Sequence, residues 1–173
     1  QVEKAKKTLT QAKKQSVATE KLNALEGQLE STNTQKIIDR LMPSQPQISD
    51  FLNKYQNGRY EEAMRLARTL IEQYPKYQLA WKVLGVLFQQ RNQMKEALKA
   101  NKRSIQLRPK DPEAHYNLGV VLNEIGRWEE AAASYQNALK ITPDYVKAYS
   151  NLGNALKALG RLDEAIASYE QAI

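Results

Sequence analysis

His115 is the only histidine among 173 residues, and the chain has no cysteine. An imidazole can relay a proton, but nucleophilic catalysis needs an activated partner beside it. A zinc site needs several nitrogen, sulfur or carboxylate ligands together. His115 instead recurs with Leu118, Gly119 and Leu122 at i, i+3, i+4 and i+7, one face of a helix. Packing is therefore its expected use. Two acidic pairs, Glu61/Glu62 and Glu129/Glu130, could suggest hydrolysis. Carboxylates for that chemistry must face each other across a cleft, which neighbours on one helix do not do. Their position near a helix start suits the positive end of the helix dipole. The seven glycines form no phosphate-binding loop and fall at turns and close helix contacts. No catalytic residue, metal site or cofactor is expected.

Charge is the next candidate for function. The formal net charge is +7, and residues 78–111 hold eight Lys/Arg against two Asp/Glu. Such a patch can attract acidic partners or phosphate backbones. Lys95, Lys99, Lys102 and Arg103 share the outer side of one helical pattern, with no aromatic platform expected beside them. A solvated face is the expected reading, and nucleic acid is not the expected partner. The longest apolar run, Val83 to Phe88, is too short to span a bilayer. The expected location is the cytoplasm, although the chain opens at Gln1 rather than Met and leaves a leader open.

The elements that must carry these residues repeat. "GRYEEA" at 58–63, "GRWEEA" at 126–131 and "GRLDEA" at 160–165 are separated by 68 and 34 residues. The slot between them, 92–97, reads "NQMKEA". Pro75, Pro109 and Pro143 close successive units of the same period. A fixed period of this size marks a stack of equal structural units. In the third unit a first helix is expected from Pro112 to about Glu124, with Asp111 as N-cap. Gly126 breaks the chain, and a second helix begins near Trp128 with Ala131, Ala132, Tyr135, Ala138 and Leu139 inward. Gly119 and Ala131 are small where the paired helices approach, and Leu118 and Tyr135 are expected to fill gaps between units.

This pattern resembles the tetratricopeptide repeat, with its W-x2-L-G-x2-Y, A-x3-F and P positions. Unit two supplies Trp81, Leu84, Gly85, Phe88, Ala97 and Pro109, with Asn101 departing in the Phe slot. Unit three supplies His115, Leu118, Gly119, Leu122, Ala131, Tyr135 and Pro143. Unit four supplies Tyr149, Leu152, Gly153, Leu156, Ala165 and Tyr169. Unit one matches in its second helix, through Gly58, Tyr60, Ala63 and Pro75; its first helix keeps a stripe of Ile48, Phe51, Leu52 and Tyr55. The resemblance implies an all-α solenoid of antiparallel helix pairs. The expected division is a basic helical segment over 1–43, then units 44–77, 78–111, 112–145 and 146–173. Residues 1–43 lie outside the period and read as a long polar helix and a short one near Gln35 to Met42, with "PSQPQ" at 43–47 as the joint.

The resemblance also implies a concave groove lined by first helices, which binds a protein or an extended peptide. In unit two the expected lining includes Leu79, Lys82, Val83, Val86 and Gln89. In unit three it is Glu113, Tyr116, Asn117, Val120, Asn123 and Glu124. Unit four adds Lys147, Ser150, Asn151, Asn154 and Lys157. Members that clasp the acidic C-terminus of chaperones use a Lys/Asn/Asn/Lys/Arg set. Lys82, Asn117 and Lys147 stand at three of those places, while Val86 and Asn151 depart and leave the carboxylate grip incomplete. The superhelix of protein O-GlcNAc transferase carries an asparagine ladder, and Asn117 and Asn151 occupy its position in successive units; Val83 interrupts it. An amide both donates and accepts, so it can hold a peptide backbone without reading side chains. Units two to four also resemble bacterial repeat arrays that precede a glycosyltransferase or sulfotransferase domain. A substrate-docking arm of such an enzyme is therefore the alternative reading. The final helix reaches Ile173 with Leu162, Ala165, Ile166, Tyr169 and Ala172 as an expected apolar face. Continuation past 173, and self-association of the chain through that face, are expected.

Overall fold

A computed structural model describes residues 42–173, which form eight α-helices and no strand. They are α1 (Gln45–Gln56), α2 (Tyr60–Gln73), α3 (Gln78–Gln90), α4 (Met94–Leu107), α5 (Pro112–Glu124), α6 (Trp128–Ile141), α7 (Val146–Ala158) and α8 (Leu162–Glu170). The expected helical segment before Met42 lies outside the described residues. Each odd-numbered helix packs against the even-numbered one that follows, and each pair packs on the next. The result is an all-helical solenoid. First helices of adjacent pairs also bring their backbones close, α3 to α5 and α5 to α7, whereas among the described residues no two second helices do so. The stack therefore tightens on its first-helix side.

The start and stop signals act largely as read. Asp111 Oδ1 accepts from the N–H groups of Glu113 and Ala114 at 3.0 and 3.3 Å, which holds the first turn of α5. Gly58, Gly126 and Gly160 have φ of 73°, 76° and 74°, in the left-handed region where a side chain is strained. Asn92 takes the same place in unit two with φ 59°. Arg59, Arg127 and Arg161 then fork onto Glu62, Glu130 and Glu164, each through two hydrogen bonds of 2.5–2.7 Å. The recurring acids thus serve as arginine partners as well as dipole complements. The joint is shorter than expected, because Gln45, Pro46 and Gln47 already belong to the first turn of α1.

Packing inside each pair follows one size rule. A Cβ built on Gly119 would lie 2.6 Å from Tyr135 Cε1, and one on Gly153 would lie 2.5 Å from Tyr169 Cε1. The missing side chain is what lets the ring lie across its own unit's first helix, so Tyr135 fills the pair rather than only the gap between units. Unit one reverses the sizes at the equivalent places, with Phe51 on the first helix and Ala67 on the second, both fully buried. Unit two has Gly85 facing Asn101, small against small. Asn101 is fully buried; its Nδ2 donates to Asn117 O at 3.3 Å and its Oδ1 has no partner.

Candidate functional site

The first helices α1, α3 and α5 converge on a cavity of about 170 Å³. Its walls are Leu52, Tyr55 and Gln56 from α1, Leu79, Lys82, Val83 and Val86 from α3, and Glu113 and Asn117 from α5. The helical period explains the grouping, since Leu79, Lys82, Val83 and Val86 lie on one side of α3. Val83 is buried, so it forms the floor and core rather than an open rung of a ladder.

Lys82 dominates the electrostatics. Its Nζ lies 2.5 Å from Glu113 Oε2 and 3.2 Å from Asp111 Oδ2. Burial works to lower its pKa, but the hydrogen bonds and charges of Glu113 and Asp111 outweigh this and raise it. For Asp111, burial works upward; the charge of Lys82 and hydrogen bonds from Gln78, Lys82 and the Ala114 N–H hold it below the usual carboxylate range. Gln78 Nε2 reaches Asp111 Oδ2 at 2.7 Å and Ser104 Oγ at 2.8 Å, tying α3 to α4 and to the start of α5. Lys82, expected as a lining residue of the groove, is thus already held by two carboxylates of its own chain. The phenol of Tyr55, beside this cluster, is raised chiefly by burial.

Of the expected lining residues, Leu79, Lys82, Val83, Val86, Glu113 and Asn117 meet at the cavity. The others lie outside that lining. Gln89 Nε2 donates to Glu124 Oε1 at 2.6 Å, bridging α3 and α5. Tyr116, Val120 and Asn123 are half-buried along α5. Asn151 Nδ2 donates to Tyr116 Oη at 3.0 Å, and Asn154 Oδ1 accepts from Tyr169 Oη at 2.8 Å. Lys147 and Lys157 are exposed on α7. Tyr116 also stacks obliquely on Tyr145, ring centres 5.2 Å apart; burial and the nearby acids push the Tyr145 phenol up to about 12.

Sequence reasoning missed the contribution of α1. The signal was present, because Leu52 and Tyr55 stand one period before Val86 and Gln89. It also read Asp111 only as a helix cap. His115 proves partly polar in its slot: its Nε2 lies 2.9 Å from Pro109 O, as Trp81 Nε1 lies 3.1 Å from Pro75 O. Each ring pins a first helix to the proline that closes the preceding unit. Lys99 borders a groove that also contains Trp81 and Phe88 of α3.

Stacked helix pairs with a side-chain-lined first-helix face define a repeat scaffold for protein interaction. Tetratricopeptide repeat models match residues 52–77 and 148–173, and a further TPR repeat model matches 85–126 and 121–160. The chain belongs to the tetratricopeptide repeat family. Its fold is similar to a crystal structure of MamA, with TM-score 0.70 and 22% identity over 80% of this chain and 81% of that one. A second MamA crystal structure aligns with TM-score 0.67 and 24% identity, over 70% and 67% of the two chains. MamA residues 41-end from Desulfovibrio magneticus align with TM-score 0.68 and 20% identity, over 73% and 72%. No curated protein sequence matches the chain. Among the described residues, no helix is long and apolar enough to cross a membrane.

Proposed function

We propose that the chain binds an extended peptide along its first-helix face and seats one apolar side chain of that peptide in the α1–α3–α5 cavity. The observation that carries this is the cavity's composition. Leu52, Leu79, Val83 and Val86 supply apolar walls, while Gln56 and Asn117 offer amides at the rim. Burying a Leu- or Phe-sized side chain stabilises a complex by roughly 1.5–3 kcal/mol. Each backbone hydrogen bond to an amide adds about 0.5–1.5 kcal/mol. Lys82, held by Asp111 and Glu113, favours neutral backbone and apolar anchors over a free carboxylate terminus. Asn151 retains its Oδ1 and one amide hydrogen after donating to Tyr116, so it can continue the same backbone track.

The test uses a peptide selected on the intact chain from a random display library. Val86→Arg should abolish its binding, and Asn117→Ala with Asn151→Ala should weaken it by about 1–3 kcal/mol. Unchanged affinity in both variants would exclude this groove. A docking arm of a larger transferase would use the same face, and sequence beyond Ile173 separates the two readings.

Self-association through α8 is a second proposal, supported by Leu162 and Ile166 at 59% and 56% exposure. Ala165 is buried and Tyr169 packs over Gly153, so those two belong to the pair itself. Leu162→Glu with Ile166→Glu should shift the sedimentation of residues 1–173 toward monomer. A parent chain that is monomeric at all concentrations would rule this out.

A further inference from the structure

The side of α3 opposite the peptide groove carries its own feature. Trp81, Leu84 and Phe88 recur at i, i+3 and i+7, and they floor a groove of about 230 Å³ between α2 and α4. Arg68 and Ile71 of α2 form one wall; Glu96, Lys99 and Ala100 of α4 form the other. The Arg68 guanidinium carbon sits 5.7 Å from the centre of the Phe88 ring, over its face. Lys95, Lys99, Lys102 and Arg103 rise from one side of α4, and neither they nor Arg68 meet a carboxylate within ion-pair distance among the described residues. Glu96 is the single acid lining the groove.

The repeat supplies an internal comparison. One period later, the places of Trp81, Phe88 and Lys99 hold His115, Leu122 and Ala133. Packing of one unit on the next therefore does not require two aromatics and a lysine at this junction.

We propose that this groove is a second docking surface, distinct from the peptide groove, for an acidic protein segment that inserts one aromatic or long aliphatic side chain. The inserted side chain lies against Trp81, Leu84 and Phe88, while its flanking carboxylates reach Arg68 and Lys99. Charge complementarity selects the occupant, because the cations of the rim and of α4 outnumber Glu96. Single-stranded nucleic acid fits less well. Stacking of successive bases needs several open aromatic faces, whereas the Phe88 face is covered by Arg68 and Trp81 alone remains in the groove.

The probe is a fluorescent synthetic peptide of Asp and Glu around one central Phe, titrated into the full chain at low salt. Saturable binding is expected, weakened by added salt and by a central Ser in place of Phe. Arg68→Glu with Lys99→Glu, both exposed in the parent, should lower affinity about tenfold or more, with helicity unchanged. Val86→Arg, in the other groove, should leave it unaltered. In a Trp128→Phe background the remaining indole is Trp81, and its emission should change on binding. The proposal is overturned by any of four results: no saturable binding, equal affinity of the charge-reversed variant, a silent Trp81, or loss of binding in Val86→Arg. Tighter binding of oligouridylate than of the peptide, lost in the charge-reversed variant, would assign the surface to RNA and overturn it too.

Discussion

Replacing Asn101 by Phe should stabilise the array, and the structure supplies each part of the estimate. Asn101 is fully buried and its Oδ1 has no hydrogen-bond partner. An orphaned buried acceptor costs about 1–3 kcal/mol, which the substitution recovers. The lost bond from Nδ2 to Asn117 O is long, at 3.3 Å, and its loss costs about 0.5–1.5 kcal/mol. Burying the ring contributes roughly 1.5–3 kcal/mol, and strain from filling the site opposes it by about 1–3 kcal/mol. Gly85 opposite provides the space that Gly119 gives Tyr135 and Gly153 gives Tyr169. The mid-values of these terms leave a net gain of about 1 kcal/mol, or a rise in melting temperature of roughly 2–4 °C at this size. Circular dichroism during heating, and in urea with an unchanged slope, measures it. A urea midpoint that falls on substitution would refute the size rule for these pairs.

Two further outcomes follow from the same contacts. Gly119→Ala should destabilise: the new Cβ meets the buried Tyr135 ring at 2.6 Å, and overpacking of about 1–3 kcal/mol exceeds the gain of about 1 kcal/mol in helix propensity; a raised urea midpoint would contradict this. The Asp111 carboxyl is depressed below its ordinary 3.8, so its contribution is present above that value and lost as pH falls through the lower folded value. Lys82 is raised above 10.5, so its contribution is full below that value and lost as pH rises through the higher folded one. Asp111→Asn, which keeps a capping side chain, should therefore flatten the acid limb of a stability–pH profile; an identical limb would remove this ion cluster from the account.

Much of the fold was legible because it depends on local pattern repeated. The span of α5 and the inward set on α6 follow from period and small residues reinforced 34 residues away, and the cap at Asp111 from its own capping chemistry. The site was less legible because it depends on pairings between units. Nothing within one unit shows that Lys82 will be neutralised by Asp111 at its own unit's end together with Glu113 of the next, or that α1 will complete the cavity. Asn101 was visible as a departure, but only burial reveals its unpartnered oxygen. Trp81 and Phe88 share a unit with Lys99 but lie on its other helix, and the groove between α2 and α4 brings them beside it.

Peptide binding on the first-helix face is the central claim, and amide chemical-shift mapping tests it most directly. The isotopically labelled chain would be titrated with a peptide selected on it from a random library. Shifts should concentrate at Leu52, Tyr55, Lys82, Val86, Glu113 and Asn117, extend toward Asn151, and disappear in Val86→Arg. Shifts confined to α2, α4, α6 or α8, or a pattern that persists in Val86→Arg, would contradict it.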